Sequence, residues 1–274
     1  FGAWQVIINE AGQTPVSLNR GLAAVVGDVL VRVDARSIIP TSYVRTVLAV
    51  LDERPEIAVV GGAQRAVPRD GSHRALGIAR ALNNRWSTGL ARYRRTSESG
   101  PSDTVYLGAF RTGELRDAGG WDERFSTNQD FELNRRMSER GLVWFVGDLA
   151  VGYRPRSTLR ELWMQYVRFG RWKAMYWSIT GDRPRPRQLA ILSAPVVGAG
   201  TVIALTTWRR RPAVVVGLVA AGAALGVEVE RRGASEPPAT AMGHAAGVAA
   251  IAVMSVGWLA GAYQGMLRWM RAGS

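Results

Sequence analysis

Two short stretches place acids where chemistry could use them. Asp34 follows the run Val29-Leu30-Val31-Arg32-Val33, and Asp130 and Glu132 lie in "STNQDFELNRRMSERG", residues 126–141. A carboxylate at a strand end can hold a hard cation, which in turn neutralises phosphate oxygens. A carboxylate at a helix start is kept ionised by the helix dipole and can take a proton from a hydroxyl. Each acid also has an ordinary reading. A strand-ending Asp serves as a turn or cap residue, and Asp or Glu in a first helical turn caps free N–H groups. The usual metal-binding form at such a strand end is Asp-x-Asp, whereas this chain has Asp34-Ala35-Arg36.

The elements that must carry these acids alternate between two periods. "WQVII", residues 4–8, reads as a buried strand. Thr14-Pro15 opens a helix that runs toward Gly27, with Thr14 as cap and proline in the first turn. Strands are expected at Val29–Val33, from Ile57 in "IAVVGG", at "TVYLGAF" and at "VWFV". Helices are expected at Thr41–Glu53, Ala75–Tyr93, within "TGELRDAGG" and at Asp130–Arg140. Strand–helix–strand repetition implies an α/β fold with parallel strands under covering helices. In such sheets ligands bind beyond the carboxyl ends of the strands, which is where Asp34 stands.

Past residue 158 the pattern changes. Leu159, Leu162, Trp163, Tyr166, Val167, Gly170, Ala174 and Trp177 form one helical stripe, with Arg160, Arg168, Arg171 and Lys173 mostly off it. Aromatic rings beside basic residues suit a membrane interface; the alternative is a helix packed on the soluble domain. Leu189–Trp208 and Ala241–Leu267 are uncharged if His244 is neutral, and Pro212–Val227 is a shorter apolar run. Two or three membrane helices are expected. Arginines precede the first segment at 183, 185 and 187 and follow it at 209, 210 and 211. Both loops cannot be cytoplasmic if that segment crosses alone, whereas a hairpin that does not fully cross removes the conflict.

Composition narrows the chemistry. The 274 residues include no cysteine and two histidines, which excludes thiolate and His-rich metal sites. The formal charge of +13 comes almost wholly from arginine. Without a nucleic-acid motif, that charge fits an anionic membrane face or a phosphorylated substrate, and no nucleic-acid partner is expected.

Three stretches in order, "VRVDARSIIP", "DTVYLGAF" followed by "GGWDERFSTNQDFELNRR", and "PRSTLRELWMQYVRFGRWK", carry a resemblance. Over residues 5–178 the chain resembles the family-2 inverting glycosyltransferases of GT-A fold, most closely the bacterial membrane-bound succinoglycan-biosynthesis glucosyltransferases. The resemblance implies an α/β GT-A domain over residues 1–155 with a mostly parallel sheet, lacking the family's first strands. An amphipathic interfacial segment at 156–188 and a membrane region of transmembrane helices at 189–274 would follow. It implies transfer of a sugar, with inversion, from a nucleotide-diphosphate sugar to a lipid-linked or polysaccharide acceptor in exopolysaccharide or cell-envelope glycan synthesis. Asp130 would be the catalytic base. Asp34 would hold Mg2+ or Mn2+ at the donor diphosphate, with Arg36 and Asn19 on the phosphate side. Glu132 would orient Arg135 or the acceptor. Gln165 and Arg168 match a degenerate Gln-x-x-Arg-Trp motif with Phe169 in the Trp place, and Trp172 joins them on the acceptor or product side. Membrane lipids would be partners, at the inner membrane with the catalytic domain in the cytoplasm. Two other readings stay open: a processive polysaccharide synthase, and a truncated, inactive membrane-binding protein.

Overall fold

The computed structural model describes residues 4–85, 87, 98–186, 188–193, 195, 212–233 and 240–272. Its contacts divide into two units, Phe1–Arg69 with Thr88–Pro155, and Asp70–Ser87 with Arg156–Ser274.

The first unit is built on a mixed sheet whose parallel centre runs the full length of its two longest strands. Strand β1 is Val29–Val31, β2 Ser37–Ile38, β3 Ile57–Ala66, β4 Gly100–Pro101, β5 Tyr106–Arg111 and β6 Leu142–Tyr153. The order is β1-β5-β3-β6-β2, with β4 also on β6. β3 and β6 pair in parallel from Ile57 opposite Leu142 to Ala66 opposite Tyr153. β5 lies antiparallel between β1 and β3, so β1, β3 and β6 all point the same way. The short β2 and β4 are antiparallel to β6.

Alternation along the strands fills both faces. Helix α1 is Thr14–Ala24, α2 Tyr43–Glu53, α4 Thr112–Asp117 and α5 Gln129–Met137, counting α3, His73–Asn83, as part of the second unit. On one face Tyr43, Val47 and Leu51 of α2 cover Ile57, Val60, Ala109 and Val151. On the other, Leu22 of α1, Leu115 of α4, and Leu133 and Met137 of α5 cover Val59, Phe110, Val143 and Phe145. Val59 and Val60 thus serve opposite layers, as the two-residue period of a strand requires.

Local chemistry moves several boundaries. Residues 4–8 form no strand; Trp4, Val6 and Ile8 are exposed, and the Ile8 carbonyl accepts from Arg20 Nη1 at 2.5 Å rather than from a neighbouring strand. An apolar run becomes a strand only beside a partner strand, and none flanks it here. α1 starts at Thr14 with Gln13 as cap, and stops at Ala24 because Val25 is extended, before the expected Gly27. β-branched valines favour that conformation. β1 ends at Val31 rather than Val33, and α3 ends at Asn83, with Asn84 extended; of the expected helix up to Tyr93, residue 86 and residues 88–93 lie outside the described residues.

In the second unit α6 is Leu159–Thr180, α7 Pro212–Gly233 and α8 Ala241–Ala272. Of the expected segment Leu189–Trp208, only residues 189–193 and 195 are described, and 189–193 are helical. α6 lies along α8 through glycines spaced four apart. Added Cβ atoms at Gly257, Gly261 and Gly265 would come within 3.2 Å of Trp163, 1.9 Å of Val167 and 2.7 Å of Arg171, respectively. Such small residues let two helix backbones approach closely. Among the described residues one helix, Ala241–Arg271, is long and apolar enough to cross a membrane.

The second unit also encloses a charged cluster. Arg80 of α3 pairs with Glu230 of α7 at 2.7 Å, and the other Glu230 oxygen meets His244 Nδ1 of α8. Asn84 donates to the carbonyl of Val229 at 2.9 Å. The Glu230 side chain is 1% exposed, so its charge is held by partners rather than by water.

Candidate active site

Arg32 ties the two acids together. Its Nε donates to Asp34 Oδ1 at 2.8 Å, and its Nη1 donates to Asp130 Oδ1. The Arg32 side chain is 9% exposed, whereas Asp34 and Asp130 are 37% and 44% exposed. A buried guanidinium therefore stands behind two carboxylates that still face solvent. Its planar fork is what allows one side chain to serve both.

Backbone geometry sets each acid in place. Arg32 N–H donates to the Gly108 carbonyl at 3.2 Å, extending the β1–β5 ladder one residue past β1. The chain then turns: Ser37 N–H donates to Asp34 O at 2.9 Å, and Arg154 N–H to Arg36 O at 3.0 Å. The Ser37 and Tyr106 hydroxyls are 2.7 Å apart and fix the far side of this turn. Asp130 is the second residue of α5, behind Asn128 in the left-handed region at φ 67°. Asparagine tolerates that region better than most residues, which allows the sharp entry into the helix.

A Gly-Gly turn before α5 is bolted from two sides. Gly119 and Gly120 have φ of 80° and 66°, conformations that favour glycine. From α1, Asn19 accepts from Trp121 N–H at 2.8 Å and donates to Trp121 O at 2.8 Å and Glu123 at 3.0 Å. From α5, Arg136 donates to the carbonyls of Ala118 and Gly120 while Glu132 holds it at 2.5 and 2.8 Å. Trp121 itself is buried, edge-on to Phe110 at 5.9 Å.

Electrostatics at the pair pull in opposite directions. Burial raises the Asp130 carboxyl above the ordinary aspartate range; Arg32 opposes this, and the like charge of Asp34 adds to it. The carboxylate is crowded by protein yet remains 44% open to water, which limits the rise. The Trp121 indole N–H comes near enough to pull it slightly down, but completes no well-formed hydrogen bond. Burial also lowers Arg32, and the two carboxylates outweigh that, leaving it raised and firmly charged.

The expected site residues separate into groups. Asp34 and Asp130 come together through Arg32, a residue the sequence reading passed over. Arg36 follows Asp34, half-buried, with no side-chain partner among the described residues. Two expectations change in detail. Asn19 commits its amide to the Trp121 turn rather than projecting toward a phosphate. Glu132 is buried and grips Arg136, not Arg135, because four residues make one helical turn. Arg135 lies on the exposed side of α5. Gln165, Arg168 and Trp172 belong to α6 in the second unit, where Arg168 is exposed and the other two are half-buried.

Among the described residues no three acids or histidines gather as a metal cage. The fit to a divalent ion rests on Asp34 alone. Arg32 takes its Oδ1, and no described donor takes Oδ2. One carboxylate suffices for Mg2+-type binding when substrate phosphates and water complete the shell.

Comparisons with known proteins bear on the family and the fold. Residues 4–173 match the family model described as glycosyltransferase like family 2. The succinoglycan biosynthesis protein ExoA of Rhizobium meliloti (strain 1021) is 29% identical over 246 residues, covering 89% of this chain and 71% of that protein. A solved mannosyltransferase, PcManGT from Pyrobaculum calidifontis in complex with GDP-Man and Mn2+, superposes with a TM-score of 0.58 at 17% identity, covering 94% of this chain and 67% of the other.

Proposed function

The chain belongs to glycosyltransferase family 2 and has the GT-A fold, and on that premise we propose that it moves a sugar from a nucleotide-diphosphate sugar to a lipid-linked or polysaccharide acceptor, with inversion. Glycosyl transfer in exopolysaccharide synthesis is supported by the likeness to ExoA. The observation that supports the reading further is the Asp34–Arg32–Asp130 bridge, which brings together the two carboxylates that would serve donor and acceptor.

Inversion at the anomeric carbon is a single in-line displacement. Asp130, paired with Arg32 and open to solvent, would in its carboxylate form accept the proton of the attacking hydroxyl, a contribution of about 10²–10⁴-fold. The free Oδ2 of Asp34 would hold Mg2+ or Mn2+. When bound, such an ion neutralises charge that builds on the departing diphosphate. Arg36, two residues beyond Asp34, would meet the same phosphates directly. Glu132, through Arg136, and Asn19 would keep the Trp121 turn and α5 rigid behind the base. Gln165, Arg168 and Trp172 would serve the acceptor or product side, and exposed Arg135 the acceptor.

The second unit would anchor the protein at the cytoplasmic side of the inner membrane. α8 has the length and composition to cross, and α6 beside it carries aromatic and basic residues suited to the interface. Carbonate washing should leave the full chain in the membrane pellet.

The deciding experiment incubates membranes containing the full-length protein with a panel of nucleotide sugars and Mn2+, and measures nucleotide release with and without a lipid-linked acceptor fraction. Acceptor-dependent release with one donor supports the proposal. Absence of release across the panel contradicts it.

A further inference from the structure

We propose that Arg32 is a positioning residue that acts through Asp130: it aims the base and presents one defined oxygen to the acceptor hydroxyl. This rests on the transferase reading above and deepens it. Four observations carry it. The guanidinium is buried while both carboxylates it holds face solvent, so it lies behind the reacting surface rather than on it. It uses Nη1 on Asp130 Oδ1, and no described donor completes a hydrogen bond to Oδ2. It uses Nε on Asp34 Oδ1 at 2.8 Å, so the acceptor side and the donor side share one rigid plane. Its own backbone is locked to β5 through the Gly108 carbonyl.

The bond geometry explains why the residue is arginine. Two acids facing one site repel each other, and a lone carboxylate on the first turn of a helix can rotate. A planar cation with two donors on different nitrogens removes both problems. Lysine offers a single charged atom that can satisfy one acid well but cannot set the angle between two. Glutamine removes the charge altogether.

The test is a double-mutant cycle in the full-length protein, made with Arg32→Gln, Arg32→Lys, Asp130→Asn and the combined Arg32→Gln, Asp130→Asn variant. Transfer is measured with the active donor, together with binding of UDP and GDP in Mn2+. Arg32→Gln should lower kcat by about 10²-fold while the donor KM stays within about threefold. Arg32→Lys should recover about tenfold of that loss. In the Asp130→Asn background, Arg32→Gln should cost less than about threefold, since its effect passes through the missing carboxylate. Nucleotide binding should persist in each variant, which shows a folded donor site.

Arg32→Gln activity within threefold of wild type would overturn the proposal. So would a full further loss on top of Asp130→Asn, or a loss confined to KM and nucleotide binding. Wild-type protein that transfers nothing from any donor would instead remove the transferase reading, and the role of Arg32 with it.

Discussion

The carboxylates of Asp34 and Asp130 are held by one guanidinium, that of Arg32, although Arg32 and Asp130 are 98 residues apart in the chain. That relationship makes the strand end and the helix start one site. Burial raises the Asp130 carboxyl there, and Arg32 only partly opposes the rise.

Transfer should therefore fall with acid at a higher pH than an unperturbed aspartate would give. The Asp130 pKa lies above the usual value of 3.8, chiefly through burial. A base must be unprotonated, so activity is lost as pH falls through the raised pKa. The pH profile of kcat, taken with acceptor and donor saturating, reads this limb. An acidic limb at or below the ordinary aspartate range would contradict the described environment. The same shift has a stability consequence. A group raised by folding contributes its stability below the unfolded pKa and loses it as pH rises through the folded one.

Asn19 should matter to the fold around the site as well as to rate. It makes three hydrogen bonds to the segment 121–123, two of them to the Trp121 backbone. Asn19→Ala leaves part-buried backbone groups without partners, which costs about 1–3 kcal/mol. Thermal unfolding of the purified full chain should show the lower midpoint. An unchanged midpoint would mean that the Gly119–Gly120 turn holds itself.

Much of this was readable from residue order, for physical reasons that also mark where it stops. Helices α1, α2 and α5 follow from apolar spacing and from proline or acids near their starts, all local signals. Asp34 and Asp130 were visible because they stand at element ends within the stretches that carry the family resemblance, although acids at such ends also serve as ordinary caps. Arg32 was not, since in "VRV" it reads as the polar member of a strand alternation, and its partner lies 98 residues on. Asn19 looked available for phosphate until the tertiary fold brought Trp121 to it. Residues 4–8 are apolar enough for a strand, but no strand among the described residues pairs with them. The approach of α6 to α8 at Gly257, Gly261 and Gly265 was not read from the sequence, because the spacing of small residues does not say which helix fills the groove.

The buried cluster of the second unit gives a prediction independent of catalysis. Glu230 is paired with Arg80 and His244 and almost wholly enclosed. Glu230→Ala would leave Arg80 as a buried cation without its carboxylate, a change that costs about 3–5 kcal/mol. The expected outcome is a markedly lower unfolding temperature in detergent. An unchanged temperature would show that water or lipid headgroups reach Arg80 freely.

The central claim is that Asp130 is the base, and Asp130→Asn tests it most directly. Asparagine keeps the size and the helix-start preference of aspartate but cannot accept the proton. Transfer by the full-length protein, measured as acceptor-dependent nucleotide release, should fall by about 10²-fold or more. Donor binding and the unfolding temperature should stay near wild type. A transfer rate within a few-fold of wild type would show that Asp130 serves only as the partner of Arg32 at the helix start, and would contradict the account.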